Sequence, residues 1–184
     1  MRNIEPRDIM RYYITYFDTE KRILEDIKNA NVTIKNNAYY TYVNKHMKIG
    51  RNFKPKSADM VLITIQNMLR NEGNLGVVEL SNRYVRNELV SRPTIKNIKV
   101  ASSKLLWLFD KETIIMDNNN MLVLKSKNYE EYVIKWKEIF STKLNEIDEV
   151  IKNNFLNLDK VVNEKWFKMR IFDQYLLSIY DEQK

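Results

Sequence analysis

The sequence predicts an all-α protein that folds as a compact multi-helix domain. Only three glycines and three prolines occur among 184 residues, whereas all-β and α/β folds need more turn residues than this. Apolar residues recur at helical spacing along most of the chain. One short run, 113–116, is β-branched and apolar, which favours an extended conformation. We therefore expect helices nearly throughout.

The first helix is expected to start near Pro6, because proline suits the first turn, where its missing amide would have no partner. Asp18 is placed to cap a continuation of this helix. A further helix is expected after Asn36 and Asn37, and Gly50 can close it from the left-handed backbone region.

The middle of the chain is expected to hold three helices. Ser57 is a typical residue to open the first of them, and Gly73 can end it. The second is predicted over 75–90, before a break at Pro93. A turn then leads into the third, for which Ser102 is the predicted cap.

Four helices are expected in the C-terminal part. The first begins after Asp117, and Asn128 with Glu131 has the spacing of a capping box for the second. Ser141 is predicted to cap a third helix, and the last helix is predicted over 159–180. No repeat or Gly/Ser/Pro-rich linker divides the chain. We expect one domain over 1–184, or two apposed lobes at 1–74 and 75–184.

Composition excludes several classes of protein. The chain has no cysteine, which rules out disulfides and thiolate chemistry and suits a reducing cytoplasm. Its single histidine makes a Ser-His-Asp triad or a multi-histidine metal site close to impossible. The charged N-terminus and the lack of a run of about eighteen apolar residues predict a cytoplasmic protein without a membrane partner. We also expect neither a metal ion nor a cofactor.

Two long segments of the sequence contain no acidic residue. One lies between Asp26 and Asp59, and the other lies between Glu88 and Asp110. The first holds seven lysines and arginines, equal to the formal net charge of +7. Such segregation indicates a face for a polyanion such as duplex DNA, and a merely solvated basic face is the alternative. The predicted DNA-binding residues in these segments are Lys45, His46, Lys48, Arg51, Lys54, Lys56, Arg92, Lys96 and Lys99.

Aromatic side chains have two possible uses. At helical spacing they more often form core and half-buried surface than a stacking platform for bases. We therefore assign the three tryptophans to the core and leave base stacking open for one tyrosine cluster. These residues are Trp107, Trp136 and Trp166, and Tyr39, Tyr40 and Tyr42. For His46, a surface position is the alternative to a phosphate or base contact.

One lysine lies in an apolar run thirteen residues before an aspartate, as Lys104 and Asp117. The segment 129–136 then reads Y-x-x-Y-x-x-x-W, and the segment 170–177 reads R-x-x-D-x-x-L-L. Together these motifs resemble the helix-hairpin-helix DNA glycosylases, in particular the branch that includes 8-oxoguanine DNA glycosylases. The resemblance covers roughly residues 75–180.

The resemblance implies a helix-hairpin-helix fold and a base-excision reaction without a cofactor. It implies that Lys104 attacks the sugar carbon carrying the damaged base and forms a Schiff base, while Asp117 assists departure of the base. The target nucleotide would be flipped out of the duplex. The resemblance also implies that Ser102 and Ser103, in the hairpin before the lysine, lie beside a DNA phosphate.

The chain departs from the family pattern at three places. The hairpin 98–103 contains no glycine, and 114–116 lacks the proline that normally precedes the aspartate. Trp107 stands where relatives often have a histidine. An alternative therefore stays open, in which Lys104 is an exposed helix lysine and Asp117 is an ordinary N-cap. The protein would then be a non-enzymatic DNA- or protein-binding module, for example in conflict between phage and host.

Overall fold

A computed structural model describes residues 1–28, 42–54, 58–72, 76–155 and 160–184, and these ranges are helical without any β-strand. Two π-helical turns, Tyr13–Phe17 and Tyr42–His46, and two 3-10 turns, Gly50–Asn52 and Lys160–Asn163, accompany the α-helices. The predicted all-α class is therefore confirmed. The α-helices in these ranges are α1 Pro6–Tyr12, α2 Asp18–Lys28, α3 Ala58–Glu72, α4 Val77–Arg86, α5 Lys99–Trp107, α6 Asn118–Val123, α7 Tyr129–Asn154 and α8 Lys165–Glu182.

The chain divides into two compact units. Unit 1 combines Met1–Asp18 with Ile114–Lys184, and unit 2 is the continuous segment Thr19–Thr113. Unit 1 thus contains α1 and α6 to α8, and unit 2 contains α3 to α5 and all of α2 except its first residue. The expectation of one domain, or of lobes at 1–74 and 75–184, stays a prediction.

The core of unit 1 is built around α8, a helix that is buried on nearly all sides. Buried residues include Phe167 and Phe172 as well as polar Arg170 and Asp173, and a helix of this kind belongs to the interior of a unit. The ring of Tyr12 on α1 packs edge-on against the ring of Phe167, with 5.3 Å between the ring centroids. Arg2 forms an ion pair at the edge of this core, since its guanidinium lies 2.7 Å from the buried carboxylate of Asp8.

The core of unit 2 is organised by α4. Tyr84 is fully buried, and its hydroxyl donates a hydrogen bond of 3.0 Å to the carbonyl of Val61 on α3. Its ring packs edge-on against the ring of Phe53, with 5.2 Å between the ring centroids. The backbone amide of Ile98 donates to the Ser81 hydroxyl at 2.8 Å. This bond fixes the start of α5 against α4, and α5 itself ends in the fully buried Trp107.

Several predicted helix starts are confirmed. Pro6 is in the first turn of α1. Asp18 is the first residue of α2, but the prediction that it caps this helix is wrong, because its backbone is helical and continues directly from the π-helical turn Tyr13–Phe17. Asp117 precedes α6 and accepts a hydrogen bond from the Asn119 amide. The side chain of Asn128 caps α7 by accepting from the Glu131 amide at 2.8 Å.

Two predicted serine caps are wrong. Helix α5 begins at Lys99 with Ile98 as its N-cap, so Ser102 lies inside the helix. Ser141 lies in the middle of α7, which is continuous from Tyr129 to Asn154. Its hydroxyl donates to the Glu138 carbonyl at 2.7 Å, so a serine that could cap a helix is instead satisfied within one.

Other predicted boundaries shift. Lys48, with φ of 54°, takes the left-handed conformation that was expected of Gly50. Helix α4 spans Val77–Arg86, inside the predicted 75–90, and α8 starts at Lys165 after a 3-10 turn. The run 114–116 is not helical, as expected. The predicted helix start at Asn36 and Asn37, the tyrosines Tyr39 and Tyr40, and Ser57 and Gly73 lie outside the described residues.

Candidate nucleic-acid interface

The net positive charge of the chain comes entirely from unit 2. Its segment, Thr19–Thr113, contains 17 lysines and arginines against nine aspartates and glutamates, a formal charge of +8. Unit 1 contains 14 basic residues against 15 acidic residues, a formal charge of −1. The two acid-free segments recognised in the sequence both fall within unit 2.

The first acid-free segment contains a loop, residues 42–54, that we call the basic loop. Four of its cations are exposed and occur at every third position: Lys45, Lys48, Arg51 and Lys54. Apolar residues between them are buried: Val43, Met47, Ile49 and Phe53. The amide of Ile49 donates to the Val43 carbonyl at 2.9 Å. The apolar side chains therefore anchor the loop while its cations face solvent. Lys56 lies outside the described residues.

A short antiparallel pairing joins the two acid-free segments. The amide of Lys54 donates to the Leu89 carbonyl at 2.9 Å, and the amide of Ser91 donates to the Asn52 carbonyl at 2.8 Å. Phe53 and Val90 face each other in this bridge. The pairing brings the end of the basic loop beside the start of the second basic segment, where Arg92 and Lys96 are exposed and Lys99 is half-buried.

His46 is held by a buried partner that sequence reasoning missed. Its Nε2 lies 3.2 Å from Oε1 of Glu20, whose side chain is fully buried, while the His46 side chain is 12% exposed. The imidazole is therefore mostly inside unit 2, between α2 and the basic loop. Because 26 residues separate the pair, no local pattern in the sequence could have indicated it.

Ser102 and Ser103, which the resemblance placed beside a phosphate, are both fully buried. The Ser103 hydroxyl donates to the Val100 carbonyl at 3.0 Å. The Ser102 hydroxyl makes no hydrogen bond within the part of the chain that the structure describes. These hydroxyls are not available at the protein surface, and we leave them out of the interface proposed below.

Lys104 is half-buried on α5, whereas Ser103 and Leu105 on either side of it are fully buried. It belongs to unit 2, and Asp117 belongs to unit 1. Trp107, one turn further along α5, is a core residue, as are Trp136 and Trp166 in unit 1. The assignment of all three tryptophans to the core is confirmed.

Asp117 sits at the start of α6 in unit 1, where its Oδ1 accepts a hydrogen bond of 3.0 Å from the Asn119 amide. The non-helical run before it is fixed by two tyrosines of α7. Tyr129 donates to the Ile114 carbonyl at 3.1 Å, and Tyr132 donates to the Ile115 carbonyl at 3.0 Å. Burial, helped by the charge of Asp173, raises the pKa of Tyr132 well above its usual value.

The two later motifs of the sequence meet inside unit 1. Asp173 accepts from the Trp136 indole at 2.9 Å and from Arg170 at 2.6 Å. Its backbone carbonyl accepts from the side-chain amide of Asn120 at 3.2 Å. Residues from α6, α7 and α8 thus form one buried polar network, which includes Asn120 of the helix that Asp117 caps.

Across the described ranges, no group of three or more histidine, aspartate or glutamate side chains is arranged to hold a metal ion. Nor does any helix in those ranges have the length and apolar character needed to cross a membrane. Comparisons with protein-family models, with curated proteins and with solved structures give no match to this chain.

Proposed function

We propose that the protein binds duplex DNA through the basic loop and the start of the second acid-free segment of unit 2. The observation that carries this proposal is the division of charge, +8 on unit 2 against −1 on unit 1. A basic surface of this kind attracts the phosphate backbone at long range and releases counterions on binding.

Contacts from exposed lysine and arginine side chains would be made mainly to phosphates. Such contacts position a protein on DNA but carry no sequence information. The described cations of the interface are Lys45, Lys48, Arg51, Lys54, Arg92 and Lys96. We therefore expect binding that is strongly salt-dependent and only weakly dependent on base sequence.

The test is a titration of labelled duplexes at several salt concentrations. For the variant Lys45→Glu/Lys48→Glu/Arg51→Glu we expect a large loss of affinity, on every sequence, and a smaller salt slope, because each lost phosphate contact lowers that slope by about one.

A matched control reverses the charge of three exposed lysines in unit 1: Lys127→Glu/Lys137→Glu/Lys152→Glu. It changes the net charge by the same amount but leaves unit 2 intact. Equal loss of affinity in the two triple variants, or no binding by the wild type at low salt, would contradict the proposed interface.

Base excision on a helix-hairpin-helix glycosylase fold is a second candidate function. It is favoured by the network in which residues of the glycosylase-like motifs, Trp136, Arg170 and Asp173, are joined to α6, the helix that Asp117 caps. In this reaction the Lys104 amine would form a bond to the sugar carbon while the bond between that carbon and the base breaks. Asp117 would stabilise the positive charge that develops on the sugar.

The rival is a DNA- or protein-binding module that keeps such a fold without the chemistry. In that case Asp117 would serve only as the N-cap of α6, a role that its bond to the Asn119 amide already accounts for. Covalent trapping, described in the Discussion, separates the two.

A further inference from the structure

We propose that the carboxylate of Glu88 occupies, in the free protein, the anion position beside Lys54 that a DNA phosphate takes in the complex. Glu88 would thereby lower the affinity of the interface. This inference rests on the proposed DNA binding by unit 2, and it adds an acidic residue that sets the strength of that binding.

The backbone places Glu88 at the edge of the basic surface. Helix α4 ends in two bonds, from the Glu88 amide to the Val85 carbonyl at 3.1 Å and from the Leu89 amide to the Tyr84 carbonyl at 3.0 Å. Glu88 itself has φ of 54°, the left-handed conformation that closes helices of this type. The chain then turns directly into the pairing with the basic loop.

That pairing fixes Glu88 beside Lys54. The amide of Lys54 donates to the carbonyl of Leu89, the residue that follows Glu88, at 2.9 Å. The Lys54 ammonium lies 3.9 Å from Oε2 of Glu88, and the two side chains are 48% and 86% exposed. The backbone pairing therefore keeps the two residues neighbours, whichever rotamers their exposed side chains adopt.

A carboxylate and a phosphate compete for the same ammonium. When DNA binds, Lys54 would exchange the Glu88 carboxylate for a phosphate, and the Glu88 charge would be left close to the DNA backbone. Exposed ion pairs are weak, so the effect is modest. We expect Glu88→Gln to strengthen binding by about two- to fivefold at low salt.

The experiment is a double-mutant cycle on duplex affinity, with wild type, Glu88→Gln, Lys54→Met and the double variant. Glu25→Gln is the charge-matched control, since Glu25 is an exposed acid of α2 in unit 2. If Glu88 competes for Lys54, its removal should help more than removal of Glu25 in the wild-type background. In the Lys54→Met background the gain should shrink to that of Glu25→Gln.

Three outcomes would overturn the inference while leaving DNA binding intact: no gain from Glu88→Gln, a gain equal to that of Glu25→Gln, or the same gain with and without Lys54. A wild type that binds no duplex at low salt would instead remove the proposed function and this inference together. Thermal unfolding of each variant confirms that the folded protein is being compared.

Discussion

The indole Nε1 of Trp136 donates a hydrogen bond of 2.9 Å to Oδ1 of Asp173, joining α7 to α8 inside unit 1. The other carboxylate oxygen of Asp173 accepts from Arg170 at 2.6 Å. Both oxygens of a buried acid are thus satisfied by groups from two helices. A carboxylate in this environment stays in the interior only because its partners replace water.

We predict that Asp173→Leu destabilises the protein by about 3 to 5 kcal/mol, because it removes the carboxylate partner of the buried Arg170 guanidinium. Adding Arg170→Met to this variant should recover part of the loss, since an apolar pair no longer buries a charge. Urea unfolding measures both values. A cost below about 1 kcal/mol for Asp173→Leu, in the range of a surface change, would show that the network contributes little.

The catalytic candidate predicts a covalent intermediate. With borohydride and a duplex that carries an intact modified base, wild type should give a trapped protein-DNA adduct, and Lys104→Gln should give none while keeping its DNA affinity. Asp117→Asn should slow base release without unfolding α6, because asparagine caps helices as well as aspartate does.

Lys21→Gln is the matched control for this experiment and should trap like wild type, since Lys21 is another half-buried lysine of unit 2 and lies outside the two acid-free segments. An abasic duplex traps adventitious amines, so the comparison must use an intact base. Equal trapping by wild type and Lys104→Gln would favour the non-enzymatic binding module.

Stability is predicted to fall at alkaline pH. Burial raises the pKa of Tyr175 to about 12 and raises that of Tyr132 well above its usual value. The folded protein therefore keeps protons that the unfolded chain loses above about pH 10. This contribution to stability is complete below pH 10 and is lost as the pH rises through the folded pKa values.

Replacing one of these tyrosines tests the alkaline effect. Tyr132→Phe lowers stability at neutral pH, because the Ile115 carbonyl loses its donor, but it should make the alkaline decline shallower. Urea unfolding at several pH values between about 8 and 11 measures the slope. Parallel declines for wild type and variant would mean that Tyr132 does not contribute.

Lys125 offers a stabilising substitution. It follows α6 with φ of 47°, and the Ser126 amide bonds to the Met121 carbonyl at 3.0 Å, the pattern of a helix end that favours glycine. We expect Lys125→Gly to stabilise the protein by up to about 1 kcal/mol. The same change at exposed Lys137, inside α7, should cost about 1 kcal/mol. Thermal unfolding measures the stability of both variants. A loss of stability in both would contradict the backbone strain proposed at Lys125.

Local features of the fold could be predicted where a residue has one dominant use. Pro6 and Asn128 mark helix starts because their chemistry suits little else at those positions. Serine is less specific, since a hydroxyl can cap a helix or bond to a carbonyl within it, and Ser141 does the second. The sequence predicts left-handed backbone at a glycine, but the residues that adopt this conformation include Lys48 and Lys125.

Contacts between distant residues could not be predicted. The charge pattern indicated two basic segments, yet nothing in it pairs Phe53 with Val90 or places Glu88 beside Lys54. The contact between buried Glu20 and His46 could not be predicted either, because the sequence does not indicate which side of α2 faces the basic loop. Such pairs depend on how helices pack, which hydrophobic periodicity alone does not specify.

The discontinuous make-up of unit 1 has a consequence for synthesis on the ribosome. Arg2, Arg7 and Arg11 bond to side chains 167 to 180 residues later in the chain, and Tyr12 packs on Phe167. Residues 19–113 are made in between, so all of unit 2 is available to fold while α1 still lacks its neighbours. Helix α1 is therefore translated long before its partner helices in unit 1, and a nascent chain released before α8 is made would leave α1 exposed.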